Sequence, residues 1–166
     1  GLRPEPELMF FADRCVQGRD CLAACPRDAL HGGDGRVDRA RCDGCGLCVD
    51  ACASGALRRV GRETTPQALL DEVLRDRAFF ASSGGGLTLS GGEATGQMAF
   101  IDAFTLLCLQ ARVDVGLETC GAFGWRAFAP LLPRFSFIWF DLKLMDDAAH
   151  RAATGGRPDR ARPSIP

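Results

Sequence analysis

Two periods of apolar and polar residues run along the chain after residue 60. In "TTPQALLDEVLRD" (64–76) the apolar positions Leu69, Leu70, Val73 and Leu74 recur every three to four residues, which predicts a helix with one buried stripe. Thr65 stands where an N-cap is needed. Pro66 suits the first helical position, where a helix leaves its N–H unpaired anyway. From Gly96 to Arg112 the positions Phe100, Phe104, Leu107, Cys108 and Ala111 keep the same spacing, so Cys108 reads as a core residue. "GWRAFAPLLP" (124–133) predicts a shorter helix.

Three short runs between these segments read as strands: "GLTLS" (86–90), "VDVGLET" (113–119) and "FSFIWFDLK" (135–143). The last is apolar almost throughout, as strands covered on both faces of a parallel sheet are. Strand, helix, strand, helix, strand with short links is a parallel α/β pattern, either a barrel segment or part of an open sheet. Ligands gather at the carboxyl ends of the strands in both. Those ends carry "SGGE" (90–93), "ETCG" (118–121) and "DLK" (141–143). One such ending is ordinary turn chemistry. Three in register predict a ligand site.

Before residue 60 the pattern is set by cysteine. Shifting the sequence by 27 positions lays Arg14, Cys15, Cys21, Ala24, Cys25, Ala29 and Leu30 over Arg41, Cys42, Cys48, Ala51, Cys52, Ala56 and Leu57, an internal duplication. The second copy, "CDGCGLCVDAC", is a complete C-x2-C-x2-C-x3-C. In bacterial ferredoxins three close thiolates of this run grip one cluster and the fourth reaches the other. The first copy keeps Cys15, Cys21, Cys25 and Pro26 but has Gly18 where the repeat puts Cys45.

Crossed ligation then makes Cys42, Cys45, Cys48 and Cys25 a full set for a four-iron, four-sulfur cluster. Cys15, Cys21 and Cys52 leave the companion site one thiolate short. That site is open to three outcomes: a three-iron cluster, a four-iron cluster whose last iron takes water or Asp20, or no cluster. Structural zinc also accepts four thiolates, but its cysteine pairs sit some 12 to 20 residues apart, so this spacing favours iron and sulfide.

Composition narrows the function classes. The 166 residues carry a formal charge of −1, with Lys+Arg 20 against Asp+Glu 21, so no basic stripe invites nucleic acid or an anionic membrane. No apolar run approaches the roughly 20 residues that span a bilayer, and no signal-peptide pattern opens the chain. The expectation is a cytoplasmic protein. Seven of the nine cysteines fall between Cys15 and Cys52, and in a reducing compartment such a cluster favours metal over disulfides.

The glycines of "SSGGGLTLSGGE" (82–93) do not make a nucleotide loop. A phosphate cradle needs Lys and Ser or Thr after Gly91, where the chain has Gly92 and Glu93. The dinucleotide pattern fails because Leu89 stands at its third glycine. Gly91, Gly92 and Glu93 offer close backbone approach and an acceptor, which suits a ligand carrying an ammonium group.

Ferredoxin cysteines followed by "SSGGGLTLSGGE", "ETCG" and "FDLKLMDDAAHRAATG" (140–155) resemble the glycyl-radical-enzyme activating enzymes of the radical S-adenosylmethionine (SAM) superfamily, in the subgroup with an inserted two-cluster ferredoxin domain. The resemblance implies a partial radical SAM (β/α) barrel with an inserted bacterial-ferredoxin-like α+β domain. It divides the chain into a lead-in segment (1–12), a two-cluster domain (13–60) and part of the barrel (61–166). It also implies that Gly91, Gly92 and Glu93 bind the amino group of SAM and that Asp141, Leu142 and Lys143 lie near it. His150, Thr154 and Gly155 match the segment that follows. Glu118 stands where the family usually has Asp, one methylene shorter.

The activity implied is reductive cleavage of SAM and hydrogen abstraction from a glycine of a partner glycyl radical enzyme, with flavodoxin or ferredoxin as electron donor. No residue of this chain is expected to be catalytic in itself. The C-x3-C-x2-C motif that holds the family's catalytic cluster does not occur here. The expectation is therefore a partial sequence, inactive alone, that begins after that loop and stops before the second half of the barrel. The alternatives are an electron-transfer ferredoxin whose α/β half is a docking module, and a zinc-dependent interaction module.

Overall fold

A computed structural model of the chain describes residues 5–32 and 36–155. Expectations for the first four residues and for the tail after Gly155 lie outside the described residues. The chain forms two compact units, one from Glu5 to Glu63 and the other beginning at Thr64.

The cysteine-rich unit opens with strand β1 (Glu7–Phe10), then two single-turn helices, α1 (Asp20–Ala23) and α2 (Leu47–Asp50), and closes with strand β2 (Leu57–Val60). β1 and β2 pair antiparallel, with Leu8 opposite Arg59 and Phe10 opposite Leu57. The duplication is visible in the backbone, because α1 and α2 begin and end 27 residues apart. Gln17 and Asp28 hold left-handed φ of 59° and 47°, and their repeat partners Gly44 and Gly55 hold 71° and 65°. Glycine takes this region freely and Gln at a cost of roughly 1–2 kcal/mol, so the fold overrides local preference in the first copy. Leu8, Cys21, Leu30, Cys48 and Leu57 form the core. Each buried leucine contributes about 1.5–3 kcal/mol.

The second unit is a three-stranded parallel sheet with helices between its strands. Helix α3 (Pro66–Val73) starts as anticipated: the Thr65 hydroxyl accepts from the Ala68 N–H at 3.1 Å, and Pro66 opens the first turn. A 3-10 turn leads into α4 (Arg77–Ser83), ended by Gly84 at φ 66°. Strand β3 (Gly86–Leu89), helix α5 (Met98–Gln110), strand β4 (Asp114–Thr119), helix α6 (Trp125–Phe128), strand β5 (Phe137–Phe140) and helix α7 (Asp147–Thr154) follow. The strands lie in the order β3, β4, β5, all parallel.

Helix α5 buries Ile101, Phe104, Thr105 and Cys108, spaced by three, one and three as one helical face requires. Phe104 and Cys108 pack with Leu70 of α3, Val113, Val115 and Leu87. Leu117, Phe123 and Phe128 close the sheet's other end with Ile138 and Phe140. Helices α4 and α7, which have no buried residues, escaped the periodicity reading.

β5 also departs from the sequence expectation of burial on both faces. Phe137 is 41% and Trp139 66% exposed, because the helices cover only the face carrying Ile138 and Phe140. On the opposite face Thr88, Gly116 and Phe137 form one row across the sheet. A Cβ on Gly116 would run into the Phe137 ring, so the absent side chain is what lets that ring lie across the strand.

Candidate functional site

The thiols of the cysteine-rich unit fall into two groups. Cys48 is buried, and loss of solvent pushes its thiol up to about 11, with Cys25, Cys42 and Cys45 adding negative charge around it. Cys25 thus stands with the three cysteines of the second copy, although 17 residues separate it from Cys42. Its sulfur accepts from the Ala29 N–H at 3.3 Å. The second group is Cys15, Cys21 and Cys52. They line one cavity of about 60 Å³ with Gly18, Asp20 and Arg36.

Arg36 governs that cavity. It is 6% exposed, and its guanidinium donates to Cys15 Sγ at 3.3 Å, Cys21 Sγ at 3.1 Å and the Gly18 carbonyl at 3.2 Å. The hydrogen bond to Cys21, then the charges of Cys21, Cys15 and Cys52, raise its pKa against the opposing effect of burial. Its Nε is buried without a partner among the described residues.

Three cysteines around one cavity, with a buried donor left over, fit a group of several metals and sulfides, whose corners spread the ligands.

At the sheet's carboxyl end, Glu93 is held inward. Its Oε1 accepts from the Thr119 hydroxyl at 2.7 Å and from the Thr95 N–H at 3.1 Å, and its Oε2 accepts from the Cys120 N–H at 2.8 Å. Burial would raise this carboxyl, but the bonds from Cys120, Thr95 and Thr119 outweigh it and lower the pKa below its ordinary value. The expected ammonium acceptor is therefore largely engaged by protein donors, with acceptor capacity left at Oε2. Gly91, at φ 122°, faces open space, so the backbone there is approachable.

Glu118 accepts from the Ser90 hydroxyl at 2.8 Å, tying β4 to the end of β3. Lys143 pairs with Asp141, which raises its pKa first through that bond and charge, then through Glu118. Leu142 is exposed beside them. The structure thus brings Glu93, Glu118, Asp141 and Lys143 to the ends of neighbouring strands. His150 lies on α7 with its Nδ1 3.3 Å from the Leu144 carbonyl, and Gly155 ends that helix at φ 65°.

A family model described as a 4Fe-4S dicluster domain matches residues 8–53. The isethionate sulfite-lyase activating enzyme of Oleidesulfovibrio alaskensis is 38% identical over 156 residues, 90% of this chain and 50% of that protein. The (2S)-3-sulfopropanediol sulfolyase activating enzyme of Bilophila wadsworthia is 38% identical over 159 residues, 92% of this chain and 52% of its own length. The trans-4-hydroxy-L-proline dehydratase activating enzyme of Clostridioides difficile is 31% identical over 156 residues, again 92% and 52%. Over that shared length the chain is similar to glycyl-radical-enzyme activating enzymes. It spans about half the length of the curated relatives it matches.

Sequence reasoning passed over Arg36, Ser90, Thr95 and Thr119. Ser90 and Thr119 lay inside the motifs that mark the strand ends, so their position was available. Arg36 carried no signal, since one arginine in "GGDGRVD" looks like any surface loop residue.

Proposed function

We propose that this chain is the cluster-bearing and SAM-orienting part of an activating enzyme that generates a glycyl radical on a partner glycyl radical enzyme. The sheet unit is then part of a radical SAM barrel, and the cysteine-rich unit is its inserted ferredoxin domain. The observation that carries the reading is the meeting of Glu93, Glu118, Asp141 and Lys143 at the carboxyl ends of three parallel strands, the place where such folds bind ligands.

When bound, iron–sulfur clusters supply electron transfer and SAM supplies the radical. The protein's own residues do the placing. Cys25, Cys42, Cys45 and Cys48 would hold a four-iron cluster. The Gly91–Gly92 backbone and the remaining acceptor capacity of Glu93 would take the SAM ammonium group. Glu118 and the Asp141–Lys143 pair present paired charges beside it, and exposed Leu142 gives SAM an apolar surface. A flavodoxin or ferredoxin would be the electron donor. Among the described residues no helix is long and apolar enough to cross a membrane.

Anaerobic reconstitution with iron and sulfide, followed by equilibrium dialysis against SAM, tests the reading. The loaded protein should bind SAM, and Asp141→Ala with Lys143→Ala should weaken that binding at least tenfold. Cluster loading without SAM binding would leave only an electron carrier. Uptake of zinc in preference to iron would remove both.

A further inference from the structure

We propose that Arg36 stands in for the missing fourth thiolate: fixed beside Gly18, its guanidinium offsets the charge of Cys15, Cys21 and Cys52 and fits their site for a three-iron cluster. This rests on the iron–sulfur reading above and goes beyond it, to a site the sequence left open three ways.

The first copy of the repeat keeps the backbone of a ligand loop after losing its ligand. Gln17 retains the left-handed conformation of Gly44, and α1 retains the length of α2. Gly18 lines the cavity, and the space into which a Cβ would project is free of other atoms within 4 Å. Nothing steric excludes a cysteine there. What the site has instead is a cation bonded to the Gly18 carbonyl and to two of the three remaining sulfurs.

A buried guanidinium is costly unless charged acceptors surround it. Thiolates are such acceptors and neutral thiols are poor ones. The orphaned Nε leaves a buried donor unmet in the cluster-free protein, which argues against a permanently empty site. A guanidinium has five donors and no lone pair, so it cannot ligate a fourth iron, and its charge opposes a cation placed beside Gly18. That argues against a four-iron cluster completed by water or Asp20. Three thiolates, a three-iron core and one fixed cation are the combination these contacts favour. The same cation and its N–H donors would raise the reduction potential of the site.

Iron and sulfide counts with EPR on the anaerobically reconstituted chain test this without an activity assay. The wild type should bind about seven irons, four plus three, and show the EPR signal of an oxidised three-iron cluster. Arg36→Met should lose that signal and keep the four irons held with Cys25, which report that the unit still folds. Arg36→Lys, which keeps the charge but not the fork, should retain the signal and release iron faster to a chelator. Gly18→Cys should raise uptake to about eight irons and abolish the three-iron signal. A wild type that stops at four irons or reaches eight overturns the proposal, as does an unchanged signal in Arg36→Met. Failure to take up any iron overturns the iron–sulfur reading itself.

Discussion

Glu93, in the loop after β3, accepts a 2.7 Å hydrogen bond from the hydroxyl of Thr119, the last residue of β4. With the Cys120 N–H at 2.8 Å, this carboxylate binds together the two strand ends that frame the candidate SAM site. The arrangement makes Glu93 a brace as well as a charge. Glu93→Ala leaves those donors without their acceptor and should cost about 1–3 kcal/mol of stability. Glu118→Ala removes one bond, from the exposed Ser90 hydroxyl, and should change stability by no more than about 0.5 kcal/mol. Urea unfolding followed by the fluorescence of Trp125 and Trp139 separates them. Equal losses would mean that Glu93 does not brace the sheet.

The same contacts set a pH dependence. The folded pKa of Glu93 is lowered, so the unfolded chain binds a proton at a higher pH than the folded one. Its contribution is complete above the ordinary carboxylate value of about 4.3 and is lost as pH falls through the lowered folded pKa. Glu93→Gln removes that titration. Unfolding midpoints taken from pH 7 downward should converge for the two proteins at low pH. Parallel curves would contradict the sign.

Much of this was legible in the sequence, and the limits have physical causes. The Thr65 cap, the Pro66 start and the buried positions Phe104 and Cys108 of α5 follow from local chemistry and helical period. The grouping of Cys25 with the second copy follows from the repeat. Arg36 could not be read, because its importance lies in contacts with residues 15 to 21, far along the chain. Nor could the engagement of Glu93, since its donors at Thr119 and Cys120 arrive through strand pairing. The exposure of Phe137 and Trp139 failed for a related reason: apolar residues on both faces of a strand do not tell which face the helices cover.

Gly116 and Phe137 offer a packing test. Gly116→Ala places a methyl group where the ring lies and should cost about 1–3 kcal/mol as an overpacking defect. Because Phe137 is partly exposed, truncating it relieves the clash at small expense. The double variant Gly116→Ala with Phe137→Ala should therefore be more stable than the sum of the single losses, by a coupling of about 1 kcal/mol in thermal or urea unfolding. Strict additivity would show that the ring does not depend on the glycine.

Thiol reactivity distinguishes the cysteines. Burial pushes Cys48 and Cys108 up to about 11, so at pH 8 only about one molecule in a thousand is thiolate at either position. Cys120 is also raised, by desolvation and by the neighbouring Glu93. In the metal-free protein, iodoacetamide should label exposed Cys45 first, Cys120 more slowly, and Cys48 and Cys108 last, as read by peptide mass spectrometry. Loading with iron and sulfide should then protect Cys45 and leave Cys120 unchanged. Continued labelling of Cys45 in the loaded protein would remove it from the cluster.

Gly44 lies between Cys42 and Cys45, and two features require glycine there. Its φ is 71°, and a Cβ would stand 2.9 Å from the Pro6 carbonyl oxygen, a backbone atom that cannot swing aside. Gly44→Ala should cost about 1–2 kcal/mol from the left-handed backbone alone, and more from the contact with Pro6. The strain falls on the loop that spaces two proposed ligands of the four-iron cluster, so it should appear as metal loss before it appears as unfolding. A chelator challenge of the reconstituted variant should release its four-iron cluster several-fold faster than the wild type. Gln17→Gly is the matched control at the repeat-related position, where a side chain already tolerates φ 59°. It relieves strain in the first copy and should leave the release rate of the complete cluster unchanged. If Gly44→Ala holds its iron as firmly as Gln17→Gly does, the Pro6 contact does not shape the cluster loop.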